Sequence, residues 1–197
     1  MERNHIDYFD GPGGAAFYAP KMDLMARDAL GREWQLSTIQ IDYVMPQRFN
    51  LSYTDSDGKA KSPIMLHRAI LGSSERFLMI LIEHFAGAFP LWLSPVQVSV
   101  LPISEKFLDY ARSIQSRLSE AGIRVELDDS NESLGKKIRN AQGQKTPLMF
   151  IVGAKEEENG TVSVRTRDGV DLGAKDLEEI KRCIQQNISQ KSLDLLK

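Results

Sequence analysis

His67 and Arg76 stand nine positions apart in the run His67-Arg68-Ala69-Ile70-Leu71-Gly72-Ser73-Ser74-Glu75-Arg76, a potential metal ligand and a permanent planar cation on either side of a glycine. Such a pair suits a charged small molecule, because an imidazole lends a lone pair to a metal and a guanidinium forks onto phosphate or carboxylate. Taken singly, neither residue is informative. A histidine at a strand end is more often a hydrogen-bonded structural residue than a ligand, and an arginine on a helix is more often a surface ion-pair partner. No other His or Cys lies at ligand spacing.

Positioning the pair calls for a strand that delivers the histidine and a helix that delivers the arginine. Pro63-Ile64-Met65-Leu66 is an apolar run of strand length, and Phe77-Leu78-Met79-Ile80-Leu81-Ile82 continues at helical periodicity towards Phe85. Gly72 and Ser73 mark the junction, Ser73 as an N-cap whose following N–H groups face the same end as a bound anion. Upstream, residues 16–28 and 33–43 alternate around Leu30-Gly31-Arg32, which predicts an antiparallel hairpin. A second hairpin is expected between Leu51-Ser52-Tyr53-Thr54 and the run 64–66, joined through Asp57-Gly58. Pro90 and Pro95 bracket Leu91-Trp92-Leu93-Ser94, a packed linker that divides the chain into units 1–91 and 92–197.

Downstream the pattern changes to an alternation of strand and helix. Val96-Gln97-Val98-Ser99-Val100, Ile123-Arg124-Val125-Glu126-Leu127 and Leu148-Met149-Phe150-Ile151-Val152 read as strands, with helices over 105–121 and 134–141 between them. A further strand is expected over 161–167, before an Asp168-Gly169 turn, and a closing helix over 177–189. The uninterrupted apolar run 148–152 is the pattern of a strand buried on both faces. This is an α/β unit with a largely parallel sheet.

Composition narrows the partners. The 197 residues suffice for two compact units, and the net charge of −2 gives no global push towards nucleic acid or membrane, so any polyanion must be met by a local patch. One candidate exists: between Glu132 and Glu156 there is no acidic residue, while Lys136, Lys137, Arg139, Lys145 and Lys155 all fall inside. Such a stretch meets phosphate or is simply a solvated helix face, and charge alone leaves both readings open. The single cysteine, Cys183, cannot form an internal disulfide and has no evident activating neighbour. No stretch has the length of a signal-peptide core or a membrane span, and the chain reads as cytoplasmic.

The run from His67 to Arg76 closely resembles motif 3 of class II aminoacyl-tRNA synthetases, in the form found in threonyl-tRNA synthetases. Phe17-Tyr18-Ala19-Pro20-Lys21, Trp34-Gln35-Leu36-Ser37-Thr38-Ile39-Gln40, Pro95-Val96-Gln97-Val98 and Ala121-Gly122-Ile123-Arg124-Val125 are similar to the same family in the same order, so the resemblance covers nearly the whole chain. It implies the fold, α+β then α/β: the end of the antiparallel class II catalytic domain, followed by a mixed-sheet anticodon-binding domain. It also implies a reaction in which threonine and ATP, with Mg2+, give threonyl-adenylate and pyrophosphate before transfer to tRNA(Thr). Arg76 matches the arginine that clamps the γ-phosphate, where a fixed guanidinium stabilises charge without reorganising. Lys21 and Gln35 match positions near the α-phosphate and the substrate carboxylate, Tyr18 matches a contact of the threonine amino group, and Ser73 and Thr38 line the same pocket.

His67 matches one of three protein ligands of a catalytic Zn2+ that takes the amino group and hydroxyl of threonine. An apolar pocket separates threonine from near-isosteric valine only about a hundredfold, whereas a metal that requires a hydroxyl ligand rejects valine more strongly. Two departures stand out. Ala19 replaces the family's usual glycine before Pro20, and the other two zinc ligands fall upstream together with motif 1 and motif 2. The isolated chain is therefore expected neither to hold zinc tightly nor to aminoacylate, and to be monomeric or weakly associating where the family forms a homodimer. In the second unit Glu156 and Arg165 match residues that read anticodon bases, with Asn131 and Arg139 as further contacts. The competing reading is a stand-alone RNA-binding or regulatory protein that keeps a synthetase tail without its chemistry.

Overall fold

The computed structural model describes residues 7–18 and 20–196, so the backbone at Ala19 lies outside it. Two compact units emerge, Met1–His84 and Phe85–Lys197. In the first, β1 (Lys21–Arg27) and β2 (Glu33–Asp42) form the expected antiparallel hairpin. Its turn is organised by Asp28, whose carboxylate accepts the N–H groups of Leu30 and Arg32 at 2.9 Å, Arg32 Nε at 2.6 Å and Trp34 Nε1 at 2.9 Å.

The second hairpin differs from expectation. β3 (Tyr53–Thr54) pairs with β4 (Ala60–Lys61), while β5 (Met65–Ala69) lies antiparallel along β2, giving the order β1-β2-β5. The ten-residue β2 offers a free edge long enough for all five residues of β5, whereas the short ribbon closes on itself through Lys61 and the Asp55 carboxylate. A short helical turn, α1 (Met45–Arg48), follows β2, and α2 (Ser74–His84) follows β5.

The second unit is a five-stranded sheet in the order β10-β9-β8-β6-β7. β6 (Val98–Pro102), β7 (Val125–Leu127) and β8 (Leu148–Val152) are parallel, and β9 (Thr161–Thr166) and β10 (Asp171–Asp176) add antiparallel, so the sheet is mixed. The crossover helices are α3 (Leu108–Glu120) and α4 (Leu134–Gly143); α5 (Ala154–Asn159) links β8 to β9, and α6 (Leu177–Ser189) closes the unit, capped by Asp176, whose carboxylate accepts from Glu178 and Glu179 N–H. β10 and α5 escape a pattern search. Gly173 at φ +73° and a register shift interrupt the alternation of β10, and the Glu-rich α5 reads as surface loop.

Register sorts the core. Val98, Val100, Phe150, Val152, Val162 and Val164 face Ala111, Ile114 and Leu118 of α3 and Leu177, Ile180 and Ile184 of α6. On the other face Leu101 and Met149 pack under Ala141, flanked by Leu134 and Ile138 of α4. The bracketed segment before β6 belongs to this core, with Leu91 fully buried in it. Arg124 donates to the carbonyls of Trp92 and Ser94, and Arg167 to those of Ala88 and Phe89, so two guanidinium forks bind that segment to the sheet.

Candidate functional site

Register also decides which side chains of the first unit share a face. Lys21 opposes Gln40, Asp23 opposes Thr38, and Gln40 opposes His67, so these five residues line one side of the sheet. Gln35 has the wrong parity for that row. Leu24 opposes Ser37 and Met25 opposes Gln35, which leaves Leu36 as an extra residue. This bulge turns Gln35 to the Asp23 side, where its Nε2 donates to Asp23 Oδ1 at 2.8 Å. Lys21 Nζ meets the other oxygen of the same carboxylate at 2.8 Å. Burial works against the Asp23 charge, but hydrogen bonds led by that from Lys21 outweigh it and hold the carboxyl below its ordinary range. Asp23 was missed by sequence reasoning, although its spacing of two from Lys21 on a strand places both on one face.

The Tyr18 hydroxyl donates to Gln40, and the rings of Tyr18 and His67 lie 5.9 Å apart. His67 Nε2 bonds to Asp42 Oδ2 at 2.9 Å, while Asp42 Oδ1 accepts Val44 N–H at 2.8 Å and Met45 N–H at 2.9 Å. Asp42 is fully buried. Burial opposes its charge, yet the N–H of Met45, the His67 ring and the N–H of Val44 together keep the carboxyl below its usual range. A carboxylate hydrogen-bonded to one ring nitrogen fixes the orientation of the imidazole, as carboxylates behind metal-binding histidines do. Among the described residues, however, no three His, Cys, Asp or Glu side chains converge on a common point. The described residues offer one imidazole oriented by a carboxylate and not a complete zinc site.

The loop between β5 and α2 is fixed by two contacts. Ser73 Oγ accepts the Arg76 N–H at 3.2 Å and the Ser73 carbonyl accepts the Phe77 N–H at 3.1 Å, which is the N-cap its position predicts. Gly72 has φ +66°, and a Cβ there would lie 2.9 Å from the Leu36 carbonyl oxygen. The bulge that turns Gln35 inward therefore also receives this loop. Arg76 is exposed on the first turn of α2.

In the second unit, Arg165 opposes Met149, and Ser163 opposes Ile151, which opposes Leu101. All therefore lie on the α4 side of the sheet. α4 buries Leu101 and Met149 but leaves Ile151, Ser163 and Arg165 half-buried. Arg165 Nε is enclosed without a hydrogen-bond partner among the described residues. A recessed guanidinium N–H of this kind calls for a carbonyl or phosphate oxygen. Glu156, in α5 just past the end of β8, accepts the Gly153 N–H on Oε2 at 2.9 Å, which fixes its carboxylate at the C-terminal edge of the sheet. A Cβ at Gly153 would come within 2.6 Å of Ile103 Cδ1, so a larger residue there would displace the end of that side chain.

Asn131, in the loop between β7 and α4, and Arg139, on α4, are both exposed. The basic stretch is not a uniform patch. Helical periodicity turns Lys137 inwards, with 4% of its side chain exposed, and Lys136 is paired with Glu132 at 2.6 Å. Arg139, Lys145 and Lys155 remain at the surface.

Comparison with known proteins agrees with both halves. Residues 3–85 match the family described as tRNA synthetase class II core domain (G, H, P, S and T), and residues 97–187 match the anticodon binding domain family. A threonine--tRNA ligase of Chloroherpeton thalassium is 52% identical over 192 residues, covering 98% of this chain and 29% of that protein. One from Rubrobacter xylanophilus is 58% identical over 162 residues, covering 82% of this chain and 25% of that protein. The chain thus spans under a third of the length of the curated relatives it matches. A crystal structure of the RNA binding domain of threonyl-tRNA synthetase from Cryptosporidium parvum Iowa II superposes with a TM-score of 0.86 at 36% identity, covering 100% of this chain and 48% of that one. No helix among the described residues is long and apolar enough to cross a membrane. A class II core segment followed by an anticodon-binding domain, with ligases for one amino acid matching along nearly its whole length, makes the chain a member of the threonyl-tRNA synthetase family.

Proposed function

We propose that the chain is the C-terminal region of a cytoplasmic threonine--tRNA ligase, homodimeric when whole, which activates threonine with ATP and Mg2+ and transfers it to tRNA(Thr). Its own share of the work is anticodon reading by the second unit. The observation that carries this is the orphaned Arg165 Nε on the half-open α4 side of the sheet. An arginine donating to base carbonyls and Glu156 accepting from base amino groups form a complementary pair, and Asn131 and Arg139 add contacts from the neighbouring loop and helix. The first unit contributes one wall of the catalytic site. Arg76 engages the γ-phosphate, Lys21 and Gln35 the α-phosphate and carboxylate region, Thr38 and Ser73 the surrounding pocket, and Tyr18 the amino group of threonine. His67, oriented by Asp42, serves as one ligand of a Zn2+ that when bound supplies open positions for the threonine amino group and hydroxyl.

The 197 residues by themselves are expected to bind tRNA(Thr) without aminoacylating it. Binding of tRNA(Thr) and of unrelated tRNAs to the chain and to Glu156→Ala and Arg165→Ala variants tests the reading. Each variant should cost about tenfold in preference for tRNA(Thr), the size of one charged hydrogen bond. Unchanged discrimination in both variants would reject it, and pyrophosphate exchange by the isolated chain would reject the division of labour.

A further inference from the structure

We propose that Lys137 is a positioning residue of the RNA-reading surface, acting through the loop that carries Asn131. The inference rests on the anticodon reading above and assigns a role to a residue too buried to meet RNA itself. Lys137 Nζ donates to the Asp128 carbonyl at 2.9 Å and to the Pro102 carbonyl at 3.3 Å, with a carboxylate oxygen, Asp128 Oδ1, no nearer than 4.0 Å. Pro102 ends β6 and Asp128 follows β7, so the ammonium sits at the C-terminal edge of the parallel strands, where the ladder leaves carbonyls without partners.

Burying an ammonium is costly, and an apolar side chain of similar length would fill the same space without that cost. What the charge adds is a tether. Asp128 is fixed at two further points: its N–H donates to the Val100 carbonyl at 3.0 Å, and its Oδ1 accepts the Ser130 N–H at 3.1 Å. On the helix side, the Lys137 N–H donates to the Ser133 carbonyl at 3.0 Å. The side chain therefore closes a ring from α4 back to Asp128, and Asn131 stands inside that ring. Glu156 on α5 and Arg165 on β9 stand outside it.

A ring of this kind should matter to Asn131 alone. The test is a set of double-mutant cycles on the 197-residue chain, read by fluorescence anisotropy with the anticodon stem–loop of tRNA(Thr) at fixed salt. Lys137→Gln is expected to weaken binding about tenfold, the size of one charged hydrogen bond. Asn131→Ala should then cost nothing more, while Glu156→Ala and Arg165→Ala cost the same in both backgrounds. Amide exchange at residues 129–132, measured without RNA, should accelerate about tenfold relative to β8, for the same reason. Additivity with Asn131, equal coupling to all three residues, or unchanged exchange overturns the proposal.

Lys137→Arg, which keeps a charged donor, guards against a Lys137→Gln chain that fails to fold. It should retain the Asn131 dependence, and losing that dependence in a folded chain overturns the proposal. A silent Asn131→Ala in the otherwise unchanged chain rejects the anticodon role of Asn131 and this inference with it. An effective Asn131→Ala that is additive with Lys137→Gln rejects the inference alone.

Discussion

The two units differ in what they bury. Among the described residues, all buried members of the two apolar clusters lie at Leu91 or beyond, where two layers of side chains sandwich β6 and β8. In the first unit the buried residues, among those described, are Asp42 and Pro46, while Leu24, Leu66, Ile70, Leu78 and Ile82 stay exposed. One unit is held by packing. The other is held by strand register, a bulge and carboxylates that gather donors. The lesson is that apolar packing and polar positioning are supplied separately along this chain, and the two tryptophans allow each to be followed, since Trp34 lies in one unit and Trp92 in the other.

The largest effect should come from the core. Phe150 is fully buried in the cluster between sheet, α3 and α6, and Phe150→Ala should cost about 3–5 kcal/mol from lost transfer energy and the cavity left behind. In urea titrations of single-tryptophan chains, the Trp92 transition should move to much lower urea and the Trp34 transition should stay in place. A common shift would show that the units unfold as one and break the comparison. The converse experiment is Asp42→Ala, which strips the N–H groups of Val44 and Met45 and the His67 ring of their shared partner. It should lower the Trp34 transition without touching that of Trp92.

Gly72→Ala comes next. The methyl would meet a backbone carbonyl at 2.9 Å in a left-handed conformation, so a loss of about 1–3 kcal/mol is expected, again confined to the Trp34 transition. A neutral result would mean that the loop before α2 is not pressed against the bulge, and the claim that one bulge serves both Gln35 and this loop would fall.

The same contrast explains how much could be read from the residues alone. Apolar runs such as 148–152 declare their burial, because a strand covered on both faces needs no other information. The hairpin β1–β2 and the Ser73 cap are equally local signals. Long-range pairing is not: β5 joined β2 instead of closing a hairpin with residues 51–54, because the choice depends on which edge is free. The residues proposed to meet substrate are found by a family pattern, whereas Asp23, Asp42 and Lys137 bond to other side chains or to carbonyls and carry no pattern of their own. Lys137 in particular sits in a basic stretch that charge counting assigns to the surface, and only helical periodicity against the sheet turns it inward.

Acid gives the smallest and most selective test. In the first unit Asp23, Asp28 and Asp55 all have carboxyls held below the ordinary value of 3.8, Asp28 mainly by the Trp34 indole N–H, with burial opposing and Arg32 adding to it. In the second unit the carboxyl held low is that of Glu178, between Lys181 and Arg117 on the exposed side of α6. A carboxyl with a depressed folded pKa binds its proton more readily in the unfolded chain. Its contribution is therefore whole above the unfolded value and is lost as pH falls below it towards the folded value. The Trp34 transition should weaken as pH drops below 3.8, while the Trp92 transition, governed by packing, should hold further into acid. Asp28→Asn, which keeps the shape but cannot ionise, should flatten part of the Trp34 pH dependence and leave that of Trp92 unchanged. If the Trp92 transition fails first in acid, hydrogen-bonded carboxylates are not what holds the first unit, and the distinction between a packed and a polar unit has to be given up.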